Sequence, residues 1–449
     1  MQDNSQPITV IILAAGNGKR MNSTLPKVLH TIGLRPMLQY SLQLSTEVTT
    51  SINIKLVVNS LIKNEKAYQD LKNSFAFEEI VQKEQLGTGD AIKSVLLAND
   101  DIDIQSDILV LYGDTPLISL CNIENMKKLL QEGRDLCLSA FITTEPQGYG
   151  RVITDKSNSV LSIVEEDNTD AHTKKIQLCN SGIMMMKASL LENFISKNHT
   201  IKVNKEFYLT DIAAFAKKNG YSTSYVETPK ENVMGVNTRP ELVLAENIIQ
   251  KRIQNRLLSC GVTLITPDTS YFAYDIKAEQ DVTIYPHVFI GPGTVLKQNS
   301  LIYSFSHIQG CIISANASIG PYARIRPNTL VAQNAKIGNF VEIKNSVISK
   351  NSKISHMSYV GDVRIGENVN IGAGTIFCNY DGNKKNTSHV KSGSFIGANS
   401  TIISPVVIEE NATVAAGSVI NMNVEKDSLA IARSKQKNLS KKSIIKNKC

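Results

Sequence analysis

The fold of the first half of the chain is decided by one stretch, Ile11-Ile-Leu-Ala-Ala-Gly-Asn-Gly-Lys-Arg-Met21, which Leu25-Pro-Lys27 follows closely. An apolar strand is predicted over residues 9–13, and it ends in small residues, two glycines and then three cations. Glycine lets a backbone N–H approach a phosphate closely, because no Cβ stands in the way. A strand that turns into a helix aims such N–H groups, together with the positive helix end, at one point. The stretch therefore predicts a cradle for a nucleoside triphosphate.

Two better-known phosphate motifs do not fit this stretch. A dinucleotide fingerprint requires G-x-G-x-x-G, but Met21 stands where the third glycine belongs. A Walker P-loop requires G-x-x-x-x-G-K-[ST], a pattern that the sequence lacks. The structural alternative is a glycine-containing turn between a strand and a helix, with cations that merely face solvent.

Length and composition are typical of a soluble protein with several domains. The 449 residues predict two or three domains, and 42% of them are hydrophobic and 20% charged. No apolar run reaches the roughly 20 residues that span a bilayer. The first residues, MQDNSQP, do not have the layout of a signal peptide. We therefore expect no membrane insertion.

Charge and cysteine usage narrow the class further. The net charge is +7, but lysine and arginine are spread along the chain except in the basic tail at 435–448, so we expect no nucleic-acid binding. The seven cysteines are odd in number and show no C-x-x-C spacing. This usage predicts reduced thiols, no cysteine-held metal and a cytoplasmic location.

The first half alternates strands and helices up to about residue 238. Strands are predicted at 9–13, 54–58, 108–112 and 137–143, and helices at 64–74 and 88–98. This order predicts an α/β fold with a mostly parallel sheet, in which ligands bind at the carboxyl ends of the strands. Residues 239–260 are predicted to form one linker helix, because aliphatic residues recur every three or four positions and Gly261 follows.

A six-residue period begins near residue 282. Aliphatic residues recur in step, for example from Ile319 to Ile343 and from Ile396 to Ile420, and a glycine often follows them. Period six is not helical; it predicts a coil with short flat sides whose turns stack aliphatic residues. The step is lost between Ile371 and Ile396, so the segment between them is predicted to be an insertion on a functional face. Tight corners leave little room for large rings, which explains an aromatic content of only 6%.

The motifs of both halves resemble those of the bifunctional N-acetylglucosamine-1-phosphate uridylyltransferase / glucosamine-1-phosphate N-acetyltransferase family, in order and over nearly the whole chain. In the first half they are LAAGNGKRM, LPKVLH, EQLGTGDA, LYGDTPL, GYGRV, IVEEDN, NSGI and ENVMGVN, and in the second half IGPYARIRP, GNFVEIK, SHMSYVGD, VNIGAGTIFCNYDG and LAIAR. The resemblance implies a Rossmann-like nucleotidyltransferase domain at 1–239, a linker helix at 240–260 and a left-handed parallel β-helix of hexapeptide repeats at 261–449. It also implies a homotrimer that binds acetyl-CoA between neighbouring coils.

The implied enzyme acetylates glucosamine 1-phosphate with acetyl-CoA and then transfers UMP from UTP to N-acetylglucosamine 1-phosphate. The product, UDP-N-acetylglucosamine, would supply peptidoglycan and lipopolysaccharide synthesis. Asp114 closely follows the strand at 108–112 and so projects at the ligand edge; the resemblance implies that Asp114 and Asn237 hold Mg²⁺. It assigns Arg20 and Lys27 to stabilising the triphosphate and the departing pyrophosphate. The implied contacts to UTP or UDP-N-acetylglucosamine are Leu13, Ala14, Ala15, Gly16, Lys27, Gln82, Gly87, Thr88, Tyr112, Gly113, Asp114, Gly150, Glu165, Asn180 and Asn237.

For acetyl transfer, the 2-amine must lose a proton as it attacks the thioester carbonyl, and a histidine with a pKa of about 6.5 suits that step. The resemblance makes His356 this base; we infer separately that Glu342 orients it. Asn379 would stabilise the oxyanion through its amide N–H. The implied contacts are Arg326, Lys344, Tyr359 and Asn370 to glucosamine 1-phosphate, and Ala373, Asn379, Tyr380, Ala398, Ala416 and Arg433 to acetyl-CoA. The family commonly has serine where this chain has Ala398, so a backbone contact survives there and a hydroxyl contact does not.

The sequence disfavours three competing interpretations. A single-activity sugar-1-phosphate nucleotidyltransferase would use the β-helix only to oligomerise, although it would not need His356 or Arg433. A non-catalytic scaffold or sugar-nucleotide sensor would not need Lys27 or Asp114. A metal-dependent hydratase would need a cluster of histidines, which the dissimilar contexts of the histidines in the second half do not offer.

Overall fold

The computed structural model describes residues 7–50, 53–98, 103–197 and 206–439. The chain divides into two compact units, one ending at Ile249 and the other beginning at Gln250. This division falls inside the predicted linker helix, which spans Arg239–Ser259. The end of the basic tail, from residue 440, lies outside the described residues. Among the described residues, no helix combines the length and the apolar character needed to cross a membrane.

The first unit is built from strands and helices that alternate along the chain. Its strands are β1 (Ile8–Ala14), β2 (Thr31–Ile32), β3 (Arg35–Pro36), β4 (Ile54–Val58), β5 (Glu78–Val81), β6 (Asp107–Tyr112), β7 (Leu136–Ile142), β8 (Arg151–Thr154), β9 (Val160–Val164), β10 (Leu178–Lys187) and β11 (Thr223–Glu227). Its helices are α1 (Met37–Val48), α2 (Lys66–Ser74), α3 (Thr88–Ala98), α4 (Leu120–Gln131), α5 (Ala188–Lys197), α6 (Ile212–Lys218) and α7 (Lys230–Val233), and α8 (Arg239–Ser259) follows them.

The central sheet has the strand order β11-β7-β10-β6-β1-β4-β5, with β8 and β9 attached through β10. β1 runs parallel to β4 and β6, whereas β10 runs antiparallel to β6 and β7. All seven residues of β1 are buried, as expected for a strand covered on both faces. Val10 and Ile12 enter one hydrophobic cluster and Ile11 and Leu13 the other, so β1 lies at the centre of a two-sided core. The predicted α/β fold is confirmed.

The predicted elements of this half agree with the structure to within two residues at each end. The strand at 54–58 and the helix at 88–98 have the predicted bounds. The helix predicted at 64–74 begins later, at Lys66, because a 3₁₀ turn precedes it. Asn59 caps that turn by accepting hydrogen bonds from two backbone N–H groups.

The turn after β1 differs from its prediction. Lys19–Met21 and Lys27–Leu29 form two single 3₁₀ turns, and in the described stretch 7–50 the first α-helix begins only at Met37. The first turn ends at Asn22, whose φ of 47° lies in the left-handed region. The predicted phosphate cradle therefore consists of loop N–H groups, and the expectation of a helix N-terminus at this point is wrong.

The second unit is a parallel β-helix with three flat sides. One side contains Thr263–Leu264, Thr283–Ile284, Leu301–Ile302, Ser318–Ile319, Lys336–Asn339, Lys353–His356, Asn370–Ile371, Phe395–Ile396, Thr413–Val414 and Leu429–Ala430. The next contains Tyr271–Phe272, Phe289–Ile290, His307–Ile308, Arg324–Ile325, Glu342–Lys344, Tyr359–Gly361, Ile376–Cys378, Thr401–Ile403 and Val419–Ile420. The third contains Lys277–Ala278, Val295–Leu296, Cys311–Ile313, Thr329–Val331, Val347–Ile348, Val363–Ile365, Ser388–Val390 and Val407–Ile408.

Stacked aliphatic residues form the core of this unit. Ile302, Ile319, Ile337, Ile354 and Ile371 pair in succession at intervals of seventeen or eighteen residues, which is three hexapeptides per coil. All five are buried. Several corners carry asparagine with φ near 59°, a left-handed conformation that this residue tolerates better than most. The predicted stacked coil is confirmed.

The predicted insertion is an ordered loop. Ile371 pairs with Ile396 twenty-five residues later, so this coil is longer than its neighbours. Asp381 Oδ1 accepts hydrogen bonds from the backbone N–H groups of Lys384 at 2.8 Å and Asn383 at 2.9 Å. These bonds favour the carboxylate and lower the pKa of Asp381 to about 2. The loop is thereby fixed by its own side chains.

Candidate active sites

Two adjoining cavities open at the carboxyl ends of strands in the first unit, with volumes of about 360 and 490 Å³. Thr88, Tyr112 and Asp114 line both cavities. Arg20, predicted beside the triphosphate, lines the second cavity. Gly113 is tightly packed, since a Cβ there would stand 3.1 Å from its nearest neighbours. Of the other predicted residues, the first cavity gathers Leu13, Ala14, Ala15, Gly16, Lys27, Gln82 and Gly87, and the second gathers Gly150, Glu165, Asn180 and Asn237.

The glycine turn is held open toward the first cavity. The Ala15 carbonyl accepts a hydrogen bond from Gln85 Nε2 at 2.8 Å, which braces the turn. Apart from its chain neighbours Ala15 and Asn17, no described residue has an atom within 4 Å of where a Gly16 Cβ would lie, so the space beside this backbone is free for a ligand. Gly18 has a φ of 61°, and a Cβ there would come within 2.6 Å of Lys27 Cβ. This glycine therefore lets Lys27 pack directly against the turn.

Lys27, Asp114 and Asn237 meet beside both cavities. The Lys27 ammonium forms an ion pair with the Asp114 carboxylate and donates to Asn237 Oδ1 at 2.8 Å. Asn237 is fixed in turn, because its backbone N–H donates to Glu241 Oε2 at 2.7 Å. The neighbouring Val236 N–H donates to the Asp114 carbonyl at 2.8 Å. Two oxygens from distant segments thus converge on the Lys27 ammonium, and carboxylate and amide oxygens are ligand types that hard divalent ions accept.

A short strap at 206–209 fixes the segment of Gly87 and Thr88, two of the residues that the resemblance implies as contacts to UTP. Phe207 donates its N–H to the Leu86 carbonyl and accepts from the Gly89 N–H, both at 2.8 Å. Gly87 has a φ of 110°, and a Cβ there would lie 2.4 Å from the Phe207 carbonyl oxygen, so only glycine lets the strap close. Glu206 of the strap lines the first cavity. Sequence reasoning missed this residue, since it stands far from the recognised motifs.

The second cavity presents a fixed carboxylate and a fixed amide. Thr210 Oγ1 donates to Glu165 Oε1 at 2.6 Å. Asn180 Oδ1 accepts from the Gly182 N–H at 3.1 Å, and the Asn180 N–H donates to the Gly150 carbonyl at 2.8 Å. Asn180 is buried. Groups of these types at fixed positions suit the hydroxyl and amide groups of an amino sugar.

In the β-helix, His356 is paired with Asn339 and not with Glu342. His356 and Asn339 lie opposite each other on successive coils, with ring Nδ1 2.6 Å from Asn339 Oδ1. Because an amide oxygen only accepts, Nδ1 is the donor in this pair, and in the neutral ring Nε2 is then the nitrogen with the free lone pair. Glu342 lies on the next side of the coil, opposite Tyr359, and accepts from Arg326 at 2.9 Å. The inferred role of Glu342 in orienting His356 is therefore wrong.

Arg326, Lys344 and Lys385 form a cationic cluster. The close contact with Lys385 is the main reason that the pKa of Lys344 is lowered from its usual value; Arg326 acts in the same direction and Asp362 opposes it. Converging cations are a suitable site for a phosphate. Sequence reasoning missed Lys385 because its position depends on how the inserted loop folds back. The adjacent lysines in that loop were the available signal.

Asn379 and Tyr380 have opposite surroundings. Asn379 is buried, with Nδ2 in contact with the Asp362 carboxylate and 3.5 Å from the Tyr359 hydroxyl. Asp362 also accepts from Asn345 Nδ2, so a buried carboxylate holds two amides in place. Tyr380 is 61% exposed. The Asn379 amide hydrogens are thus already engaged, and a role at an oxyanion stays a prediction.

Four of the six residues predicted to contact acetyl-CoA, Ala373, Ala398, Ala416 and Arg433, follow one corner of the coils. The carbonyls of Ala373 and Ala398 each accept a backbone N–H from the next coil, at 2.7 and 2.8 Å, and the Arg433 guanidinium contacts the Ala416 carbonyl. Ala373, Ala398 and Ala416 therefore stack on successive coils. Asn370, predicted to bind the sugar, belongs to the same coil as Ala373. This column of Ala373, Ala398 and Ala416 presents backbone and methyl groups to a ligand, and it has no hydroxyl group at position 398.

Comparison with known proteins agrees with both units. The family model described as the MobA-like NTP transferase domain matches residues 10–162. The model described as the GMPPB C-terminal domain matches residues 307–380. The model described as bacterial transferase hexapeptide (six repeats) matches residues 387–421. A nucleotidyltransferase unit followed by a hexapeptide unit is the order that the sequence predicts.

Similar proteins cover nearly the whole chain. The Bifunctional protein GlmU of Wolbachia pipientis wMel is 41% identical over 433 residues, which are 96% of this chain and 98% of that protein. The chain belongs to the GlmU family. Bifunctional protein GlmU of Bartonella quintana (strain Toulouse) is 38% identical over 95% of this chain and 94% of that protein. Bifunctional protein GlmU of Brucella anthropi is 42% identical over 95% and 93%.

Membership of the GlmU family confirms the predicted resemblance. The fold class is an α/β nucleotidyltransferase unit followed by a left-handed parallel β-helix of hexapeptide repeats. The chain is a bifunctional transferase, with UDP-N-acetylglucosamine diphosphorylase and glucosamine-1-phosphate N-acetyltransferase activities. The single-activity alternative is set aside by the same finding.

Proposed function

We propose that the two reactions take place in two separate sites: uridylyl transfer in the paired cavities of the first unit, and acetyl transfer along one edge of the β-helix. The observation that carries this proposal is the meeting of Lys27, Asp114 and Asn237 beside both cavities. The first cavity is assigned to UTP and the second to N-acetylglucosamine 1-phosphate. At the border between the two cavities, the sugar phosphate would then lie next to the α-phosphate of UTP.

In uridylyl transfer, a phosphate oxygen of the sugar phosphate attacks the α-phosphorus of UTP and pyrophosphate leaves. Lys27 and Arg20 offset the negative charge that both substrates bring, and the loop N–H groups beside Gly16 contact the phosphates. Asp114 and Asn237 fit a magnesium ion, because their oxygens already share one cation, and they are the residues that would hold it. When bound, Mg²⁺ supplies charge neutralisation at the phosphates.

In acetyl transfer, His356 Nε2 takes the proton from the 2-amine as the nitrogen attacks the thioester carbonyl. The new carbon–nitrogen bond forms, the carbon–sulfur bond breaks, and the departing thiolate of CoA takes up the proton from His356. Arg326, Lys344 and Lys385 clamp the phosphate of glucosamine 1-phosphate, and Asn339 holds the imidazole. Acetyl-CoA lies along the column of Ala373, Ala398 and Ala416, with Tyr380 beside it and Arg433 on a CoA phosphate.

The acetyl-transfer site is exposed on a single chain, which supports a homotrimer in which a neighbouring β-helix covers bound acetyl-CoA. His356 faces solvent, and Tyr380 in the inserted loop is largely exposed. The free thiols of the described cysteines are compatible with a reducing, cytoplasmic location. The product would supply peptidoglycan and lipopolysaccharide synthesis. The proposed domain boundaries are 1–239 for the uridylyltransferase domain, 240–260 for the linker helix and 261–449 for the acetyltransferase domain.

One reaction mixture tests both assignments. It contains the full chain, UTP, acetyl-CoA, glucosamine 1-phosphate and Mg²⁺, and the products are separated by chromatography. We expect UDP-N-acetylglucosamine from the native chain. Asp114→Ala should stop at N-acetylglucosamine 1-phosphate. His356→Ala should make no acetylated sugar, yet convert N-acetylglucosamine 1-phosphate when it is supplied.

The two variants also show which site assignment fails if one does. Loss of both reactions in either variant, with the fold intact by circular dichroism, contradicts the separation of the sites. Normal acetyl transfer in His356→Ala removes the assignment of the base but leaves the nucleotide site standing. Omission of Mg²⁺ should stop only the second reaction.

A further inference from the structure

The side chain of Gln82 is held in one orientation inside the first cavity. Gln82 is 5% exposed. Its Nε2 donates one hydrogen to Asp90 Oδ2 at 2.9 Å and the other to the Gly87 carbonyl at 3.2 Å. Both amide hydrogens are therefore used within the protein. What this side chain offers to a ligand is its oxygen, which only accepts hydrogen bonds.

The orientation is fixed because both partners of the amide nitrogen are acceptors. An ionised carboxylate and a backbone carbonyl cannot donate a hydrogen bond. If the amide turned over, Gln82 Oε1 would face Asp90 Oδ2 and the Gly87 carbonyl at about the same distances. Two buried contacts between acceptor oxygens would then replace the two hydrogen bonds. Two donor hydrogens would also lose their partners, which is costly in a buried site.

A fixed acceptor at this position would discriminate between pyrimidine bases. Uracil carries a hydrogen on N3, which can donate to Gln82 Oε1, whereas N3 of cytosine is an acceptor with no hydrogen. Cytosine would place two acceptors against each other and leave both unsatisfied. A site built around such a pair rejects the wrong partner far more strongly than an apolar pocket does.

We propose that Asp90 determines base specificity by holding the Gln82 amide with its oxygen toward the nucleotide base, so that uracil is accepted and cytosine is excluded. The proposal rests on the assignment of UTP to the first cavity. Asp90 acts through Gln82 and is a positioning residue. It lies in the first turn of α3, where a carboxylate also stabilises the helix, and the test must separate these two roles.

The experiment compares kcat/KM for UTP, CTP and dTTP in the native chain, Asp90→Asn and Asp90→Ala, with N-acetylglucosamine 1-phosphate and Mg²⁺. An asparagine at 90 can turn its own donor toward Gln82, which lets Gln82 turn over and present N–H groups to the base. We expect the UTP:CTP ratio to fall about 10-fold or more in Asp90→Asn. It should fall less in Asp90→Ala, where only the Gly87 carbonyl still holds the amide.

Two readouts separate this proposal from a purely structural role. Thymine shares the N3–H edge of uracil. The ratio of kcat/KM for UTP to kcat/KM for dTTP should therefore stay within about 2-fold of its native value in both variants. If both variants lower kcat/KM for every nucleotide by the same factor, Asp90 only stabilises α3 and the proposal is overturned. If the native chain uses UTP and CTP equally, the proposal also fails. If it uses neither, the assignment of the first cavity itself fails.

Discussion

The nucleotide cleft and the edge of the β-helix hold their charges in different surroundings. In the cleft, the side chains of Lys27 and Asp114 are 12% and 16% exposed and satisfy each other. On the β-helix, Arg326 and Glu342 are 36% and 33% exposed, and His356 faces solvent. In the nucleotide cleft, the opposite charges are thus already paired and shielded from solvent before a ligand binds; we call this region the closed cleft. On the β-helix, neighbouring cations lie in solvent and repel one another; we call this region the open edge.

The difference follows from how each fold brings residues together. The cleft gathers the turn after β1, the end of β6 and the loop before α8, which are more than two hundred residues apart at the extremes. The charged side chains of the cleft are enclosed because the carboxyl ends of the strands lie between flanking helices. The β-helix gathers residues one coil apart, such as Asn339 and His356, on an outer surface. Enclosure there has to come from the ligands or from another chain.

The sharpest test of the closed cleft is Lys27→Met. The substitution keeps much of the side-chain volume but removes the cation that Asp114 and Asn237 share. We expect kcat/KM for uridylyl transfer to fall about 10²–10³-fold, because charge stabilisation at the phosphates is lost. Acetyl transfer, measured by thiol release from acetyl-CoA, should stay within about 2-fold.

Lys55→Met is the matched control for this variant. Lys55 is 13% exposed and is paired with Glu78, so it resembles Lys27 in burial and in partner type. Its loss should cost stability by a similar mechanism without changing the uridylyl rate in the folded protein. Equal losses of uridylyl transfer in the two variants would mean that Lys27 is only a structural ion pair.

At the open edge, the contact that matters most for rate is the one between Asn339 and His356. Asn339→Ala frees the ring, so Nε2 is less often directed at the amine. We expect kcat for acetyl transfer to fall about 10–100-fold while KM for both substrates stays within about 2-fold. Asn339→Asp keeps an accepting oxygen and should retain more activity than the alanine variant.

The control for Asn339→Ala is Asn334→Ala. Asn334 lies on the same coil, but its amide bonds to Asn351 at a solvent-exposed corner. It should leave kcat unchanged. A rise in KM in place of a fall in kcat for Asn339→Ala would indicate that Asn339 shapes the sugar site and does not orient the base.

The sequence was sufficient for the elements and for the column of stacked aliphatic residues. The strand at 54–58, the helix at 88–98 and the hexapeptide ladder follow from apolar periodicity, and periodicity is a local property. The insertion after Ile371 was predictable for the same reason, because a break in a fixed period is visible without any knowledge of contacts.

The failures concern contacts that no local pattern encodes. The sequence predicts a helix after β1, but Asn22 adopts a left-handed conformation and ends the turn. We infer from its place two residues before Lys344 that Glu342 orients His356, whereas in the coil Glu342 accepts a hydrogen bond from Arg326. Lys385 and Gln85 reach their sites from loops, and the path of a loop depends on long-range packing.

The smallest expected effect comes from the repulsion between cations at the open edge. Lys385→Ala removes the neighbour that lowers the pKa of Lys344, so the pKa of Lys344 should rise toward its usual value. It also removes one cation from the proposed phosphate clamp. We expect KM for glucosamine 1-phosphate to rise about 5–10-fold with kcat little changed, since phosphate binding weakens and the base is untouched.

Salt distinguishes this clamp from the closed cleft. Exposed charges are screened at ionic strengths where the Debye length falls to about 8 Å, whereas buried pairs are screened much less. Raising NaCl should therefore increase KM for glucosamine 1-phosphate more than KM for UTP, and Lys385→Ala should flatten the first dependence. Lys384→Ala, one residue earlier in the same exposed loop, serves as the control with an equal change in net charge. If both variants shift KM equally, the loop contributes only diffuse positive charge, and Lys385 is not a specific contact to the sugar phosphate.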